Sequence, residues 1–141
     1  FPGRQRLEYE VETRVQPFPF FGPDTPAEVE YSDMSAFIQA GTNGYESGYF
    51  LQFGGLLNTK NRLLREGVLL AESAAPLIVP GKTHRVAAEF DGHAVRLVVD
   101  GQTVVACRER KPLLGEGHDR VGFYVWTGAA IRNVRVYTRG E

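Results

Sequence analysis

The chain has 141 residues, 43% of them hydrophobic and 23% charged, the balance of one ordinary globular domain that buries a core without a disulfide or metal staple. Sixteen basic against seventeen acidic residues leave a net charge of −1, which argues against a nucleic-acid partner or a polybasic membrane anchor. The single cysteine, Cys107, rules out an internal disulfide and a Cys-rich zinc site, and no run reaches the roughly 18 apolar residues of a membrane span. The chain starts Phe1-Pro2-Gly3 rather than with Met, so it is read as a processed or excised piece of a longer product, from which either a signal peptide or an upstream domain was removed, with other domains of that product as expected neighbours.

Residues 6–16 open the pattern. Leu7, Tyr9, Val11, Thr13 and Val15 alternate with Arg6, Glu8, Glu10, Glu12 and Arg14, the period-2 signature of a strand buried on one face and wet on the other. Residues 17–26 follow as a loop, because their four prolines cannot supply a ladder of N–H donors. Phe18, Phe20 and Phe21 in this loop form either a satellite core cluster or an exposed aromatic patch. Two short strands, 34–40 and 48–53, are separated by the turn residues Gly41-Thr42-Asn43-Gly44. After Gly54-Gly55 a strand resumes around Leu63, Leu64 and 68–70, with a short helix over 61–66 as the alternative.

The last third is the most regular. Val86, Ala88 and Phe90 alternate, as do Val95, Leu97 and Val99, and Asp91-Gly92 and Asp100-Gly101 stand at the joints. Asp-Gly between alternating hydrophobics signals a type I′ hairpin, which needs positive φ at both central residues, so a three-strand meander ending at 103–107 is predicted. After a loop at 112–117, strands 121–127 and 131–137 are predicted to pair with each other. Val86, Phe90, Leu97, Val99, Phe123 and Val125 share the core phase. About eight short strands with almost no helical periodicity predict an all-β antiparallel sandwich or jelly roll.

The segments 81–86 and 95–101, with the closing stretches 120–126 and 131–137, resemble concanavalin A-like and laminin-G-like jelly rolls. The resemblance is nearest to the bacterial 3-keto-disaccharide hydrolase-like and lectin/glucanase-like group, with 48–55, Asn58 and Arg62 resembling its middle segment. It covers roughly Leu7 to Tyr137 and implies one concanavalin A-like domain over residues 1–141. Such domains carry one or two strands ahead of the one starting at Arg6, so an N-terminal edge strand is expected to be missing here.

Three kinds of chemistry are candidates. Glu28 and Glu30, in Glu28-Val29-Glu30-Tyr31-Ser32-Asp33, share a strand face as a retaining glycosidase requires. The pattern Glu-x-Glu-x-x-Asp departs from the Glu-x-Asp-x-x-Glu of family 16 glucanases, so the cluster is read first as a solvated edge. His84, His93 and His118 have no metal-ligand spacing. Asp91, Asp100 and Asp119 are candidate calcium ligands, of which Asp91 and Asp100 are read first as hairpin turn residues, no cofactor is expected, and Cys107 is expected to be a buried, inert thiol.

The third candidate is a set of polar groups among aromatics: Gln39, Tyr49, Gln52, Asn58, Arg62, Arg65, Tyr124 and Trp126. A sugar presents an apolar C–H face ringed by hydroxyls, which a protein grips by stacking a ring and satisfying the hydroxyls with amides and guanidinium groups. Tyr124 and Trp126 are opposite in phase to Val121, Phe123 and Val125, so they either line a concave ligand face or pack under loops. The expected function is therefore a non-catalytic carbohydrate-binding module of a secreted or periplasmic bacterial protein. The alternatives are a hydrolase of (3-keto-)disaccharides or glucans using Glu28 and Glu30, and a structural domain binding another protein segment.

Overall fold

The computed structural model describes residues 1–13, 32–126 and 128–140. Ten strands are formed among them: β1 (Arg4–Thr13), β2 (Met34–Ala40), β3 (Tyr49–Gly54), β4 (Lys60–Arg65), β5 (Val68–Ser73), β6 (His84–Phe90), β7 (Ala94–Val99), β8 (Gln102–Arg108), β9 (Arg120–Val125) and β10 (Ala129–Arg139). They build two five-stranded sheets in the orders β10-β1-β6-β7-β8 and β5-β4-β3-β2-β9. Every neighbouring pair is antiparallel. The result is an all-β sandwich of the jelly-roll type.

The alternation read in the sequence is what closes the sandwich. Leu7, Tyr9 and Val11 of β1 face inward at 1–3% exposure. Val86, Ala88, Phe90, Val95, Leu97 and Val99 from the same sheet join them, against Ala36, Ile38, Leu51, Phe53 and Leu63 of the other. The Tyr9 hydroxyl, buried in this layer, donates to the Met34 carbonyl at 2.9 Å, so the one polar atom of the ring is satisfied.

Several sequence expectations are corrected. Residues 61–65 are strand, not helix, with Glu66 in the turn that follows, and the tight helical geometry nearby is a left-handed turn at Gly55–Asn58, with φ of 51° and 57° at Leu56 and Leu57. Asp100 and Gly101 have φ of 51° and 81°, the type I′ geometry, whereas Asp91 lacks positive φ. Asp91 instead anchors a three-residue loop, its Oδ1 accepting from the His93 and Ala94 amides at 2.8 and 2.9 Å. The closing strands do not pair with each other: β9 joins β2 in one sheet and β10 joins β1 in the other. Val125 is 38% exposed rather than core, because it ends an edge strand with a neighbour on one side only, and Phe123 in the same strand is half-buried. Cys107 is also half-buried rather than buried, on the edge strand β8. The phenylalanine loop at 17–26 and the carboxylates Glu28 and Glu30 lie outside the described residues.

Candidate functional site

The register of the β5-β4-β3-β2-β9 sheet sets two rows of side chains side by side on its outer face. Tyr124 pairs with Ser35, Gln52 with Arg62, and Arg62 with Glu72. Since Ala36 pairs with Leu51, Ser35 and Gln52 are also neighbours, and a polar row Tyr124–Ser35–Gln52–Arg62–Glu72 crosses all five strands. The adjacent row on that face is apolar: Gly122, Phe37, Phe50, Leu64 and Leu69. Strands alternate their side chains between faces, so the intervening row, Phe123–Ala36–Leu51–Leu63–Ala71, points into the core.

A buried hydrogen-bond chain holds the middle of the polar row. Asp33, 7% exposed, lies just ahead of β2. Its Oδ2 accepts from Ser32 Oγ at 3.0 Å, and its Oδ1 accepts from Ser35 Oγ at 3.2 Å and from Gln52 Nε2 at 2.5 Å. Gln52 Oε1 then accepts from Arg62 Nε at 2.6 Å. The Gln52 side chain lies flat on the backbone of Gly55, where a Cβ would sit 2.1 Å from the Gln52 Cδ; only glycine admits it. With its Nε fixed, the Arg62 guanidinium retains both Nη groups, which have no protein partner among the described residues. Glu72, next in the row, is exposed and meets Lys60 at 3.2 Å.

Aromatic rings border this chain. Tyr45, Phe50 and Tyr124 pack mutually, both Tyr124 contacts edge-to-face, with centroids 4.9, 5.0 and 5.4 Å apart, and Phe37 lies over Gly122, where a Cβ would fall 2.3 Å from the ring. Burial pushes the Tyr124 phenol upward, and the charges of Asp33 and Tyr45 add to the shift, so it stays a neutral donor and acceptor. Trp126 follows β9, with its backbone N–H donating to the Asp33 carbonyl at 3.2 Å. It is 67% exposed. A ring of that size left in water beside a polar row is a ready stacking surface.

Of the eight residues proposed from sequence, Gln52, Arg62, Tyr124 and Trp126 come together here. The other four serve the fold. Gln39 is fully buried, its Oε1 accepting from the Gln5 amide and its Nε2 donating to the Leu113 and His118 carbonyls. Tyr49 is a core ring whose hydroxyl donates to Glu109 at 2.9 Å and accepts from the Leu113 amide. Arg65 closes the same cluster on Glu109 at 2.6 Å. Asn58 grips the backbone of Ile78 through both ends of its amide, at 2.9 and 2.8 Å. Strand phase separates Tyr49 and Arg65 from Gln52 and Arg62. Tyr49 has the core phase of β3 and Gln52 the outer one, a distinction available once the strand was delimited. Tyr45, Phe50, Glu72 and the positioning role of Asp33 were missed, because they depend on which strands neighbour one another.

Asp91 and Asp100 are turn residues, and Asp119 is tied at its carbonyl by the Phe1 ammonium at 2.8 Å. Asp100 takes His84 Nδ1 at 2.9 Å and the Arg85 amide at 2.9 Å. Among the described residues no group of three or more His, Cys, Asp or Glu side chains converges on one point.

No protein-family model matches the chain, and no curated protein matches its sequence. Solved structures do match. The carbohydrate-binding module CBM66 from Bacillus subtilis superimposes with a TM-score of 0.68 at 13% identity, over 96% of this chain and 76% of that one. The fold is the one these lectin-like sandwiches share. A variant of human galectin-16 gives a TM-score of 0.60 at 12% identity, over 99% of this chain and 91% of its own. The Caenorhabditis elegans galectin LEC-6 gives 0.58 at 12% identity, over 97% and 84%.

Proposed function

We propose that the protein is a carbohydrate-binding module whose ligand lies along the polar row of the β5-β4-β3-β2-β9 sheet. The observation that carries this reading is the row itself: a guanidinium held by the buried Asp33–Gln52 chain, with a carboxylate and a phenol set beside it by strand register and Trp126 exposed at one end. Arg62 and Glu72 offer complementary donors and acceptors to vicinal hydroxyls. Tyr124 and Trp126 offer ring faces to the C–H surface of a pyranose or furanose. Asp33 and Gln52 are positioning residues, since both are buried, Asp33 accepting from Ser32, Ser35 and Gln52, and Gln52 bridging Asp33 to Arg62. The similarity in fold to a carbohydrate-binding module and to galectins supports the same reading, as fold-level analogy.

The test is a glycan array probed with the native chain and with Arg62→Ala. The reading expects a set of neutral glycans retained by the native chain and lost, or weakened by roughly tenfold or more, in the variant, as removal of a charged hydrogen-bond donor implies. Retention that is the same for both proteins overturns it.

A further inference from the structure

The opposite face of the sandwich carries a charge pattern that a net charge of −1 conceals. On the outer side of the β10-β1-β6-β7-β8 sheet, β10 presents Arg132, Arg135 and Arg139 and β1 presents Arg4 and Arg6. The next three strands add Arg85, Arg96 and Arg108. Half of the chain's sixteen basic residues therefore share one face, and all are arginine. The strand carboxylates facing the same way are Glu8, Glu10, Glu12 and Glu89. These are engaged internally: Glu8 by Arg6 at 2.6 Å, Glu89 by Arg6 and Arg96, Glu12 by Arg132, and Glu10 by the Asn133 amide at 3.0 Å. Among the described residues Arg108, Arg135 and Arg139 have no carboxylate partner.

The same face holds an open depression of about 510 Å³, within the range of ligand sites. Ala87 and Val98, paired across β6 and β7, lie at its floor. Arg135 on β10 and Arg85 on β6 flank it from either side of β1. Arg85 is 83% exposed in its side chain and reaches only Glu10, at 4.0 Å. Arg6, Glu8 and Glu10 of β1 also line it, with Glu8 held by Arg6 and Glu10 by the Asn133 amide, so Arg85 and Arg135 are the guanidinium groups at its rim with spare donors.

We propose that this face binds an anionic polysaccharide, through sulfate or uronate groups held at the rim of the depression by Arg85 and Arg135, whose outer donors reach past the paired Glu8 and Glu10 of β1. A guanidinium fork matches the paired oxygens of either group bidentately, which an ammonium does not. The shallow, extended row of arginines suits a repeating charge on a chain. Nucleic acid is disfavoured because Tyr137 is the only aromatic ring among the outward-facing described residues of these strands, and single strands are held chiefly by several stacking rings. The surface lies on the other sheet from the neutral-glycan row, so the module would engage two kinds of saccharide at once.

The experiment titrates the native chain with dextran sulfate, polygalacturonate and neutral dextran at low and near-physiological salt, alongside the double variant Arg85→Ala/Arg135→Ala. The expected result is binding of one or both polyanions but not of dextran, with affinity falling as salt rises. The double variant should weaken binding by roughly tenfold or more while its thermal midpoint stays that of the native chain. Which polyanion binds distinguishes sulfate from carboxylate recognition. Absence of polyanion binding at low salt, or equal binding by the double variant, overturns the proposal. So does a single-stranded oligonucleotide that binds as tightly as the polysaccharides. The titration makes no use of the Trp126 face, so its failure and that of the neutral-glycan reading are separate events.

Discussion

The buried pair Asp33–Gln52 gives the account its most searching stability prediction. Asp33 is 7% exposed and Gln52 4%, and their contact is 2.5 Å. A hydrogen bond to a charged group contributes about 1.5–3 kcal/mol, and a buried group left without its partner costs about 1–3 kcal/mol. Gln52→Leu removes one of the three donors on the carboxylate, leaving Ser32 and Ser35. It should destabilise by about 2 kcal/mol. Asp33→Ala should cost about 2–3 kcal/mol, with a further increment because Asp33 has a φ of 53°, which alanine adopts less readily. The double variant loses both groups together and strands neither, so its cost should fall short of the sum by about 1–2 kcal/mol. The backbone increment occurs in the single and the double variant alike and cancels from the cycle. Urea unfolding followed by circular dichroism supplies all four free energies. Additivity within about 0.3 kcal/mol would refute the claim that the two side chains act as a unit.

Three further outcomes are expected. Leu97, fully buried between the sheets, should cost about 2–5 kcal/mol when cut to alanine, and a loss below about 1 kcal/mol in urea unfolding would show a looser core than described. Asp91, held by the Ala94 amide first and then by His93 and Arg96, has its carboxyl lowered from 3.8 to about 2. Its contribution is present above the ordinary carboxylate value and is lost as pH falls from about 4 toward 2, so Asp91→Asn should flatten that part of the acid limb of stability, and an unchanged limb would contradict it. Trp126→Ala should change stability by less than about 0.5 kcal/mol, since the ring is 67% exposed. A larger loss in thermal or urea unfolding would mean that the ring supports the fold.

Much of the sandwich was legible because strand periodicity is a local property. The alternation from Leu7 to Val11 and from Val86 to Val99 placed those residues in the core before any partner strand was known. What failed depends on long-range pairing. Strands 121–127 and 131–137 are adjacent in sequence and looked like a hairpin, yet β9 and β10 belong to different sheets, and no local signal distinguishes a hairpin from a crossover between layers. The same limit applies to Val125, whose core phase was right but whose edge position leaves it exposed. At the site, phase singled out Tyr124 and Trp126, while Gln39 and Arg65 were included because of residue type, and Tyr49 and Asn58 also because their segment resembles the middle of the family. Polar residues that close turns and cross-links look in sequence like polar residues that bind. The arginine-rich face was hidden by composition, since acidic residues elsewhere cancel it in the total.

Trp126 is the one tryptophan of the chain, so its emission reports on the proposed stacking surface alone. Covering on the order of 80 Å² of its exposed ring with a sugar face removes about 2 kcal/mol of apolar exposure, about thirty-fold in affinity. The decisive measurement is a fluorescence titration with the glycans retained on the array, repeated with Arg62→Ala. The account predicts a saturable shift of the emission to shorter wavelength in the native chain, with its midpoint moved to higher glycan concentration in the variant. Binding detected by calorimetry with no change in Trp126 emission would place the glycan elsewhere on the molecule and contradict the account.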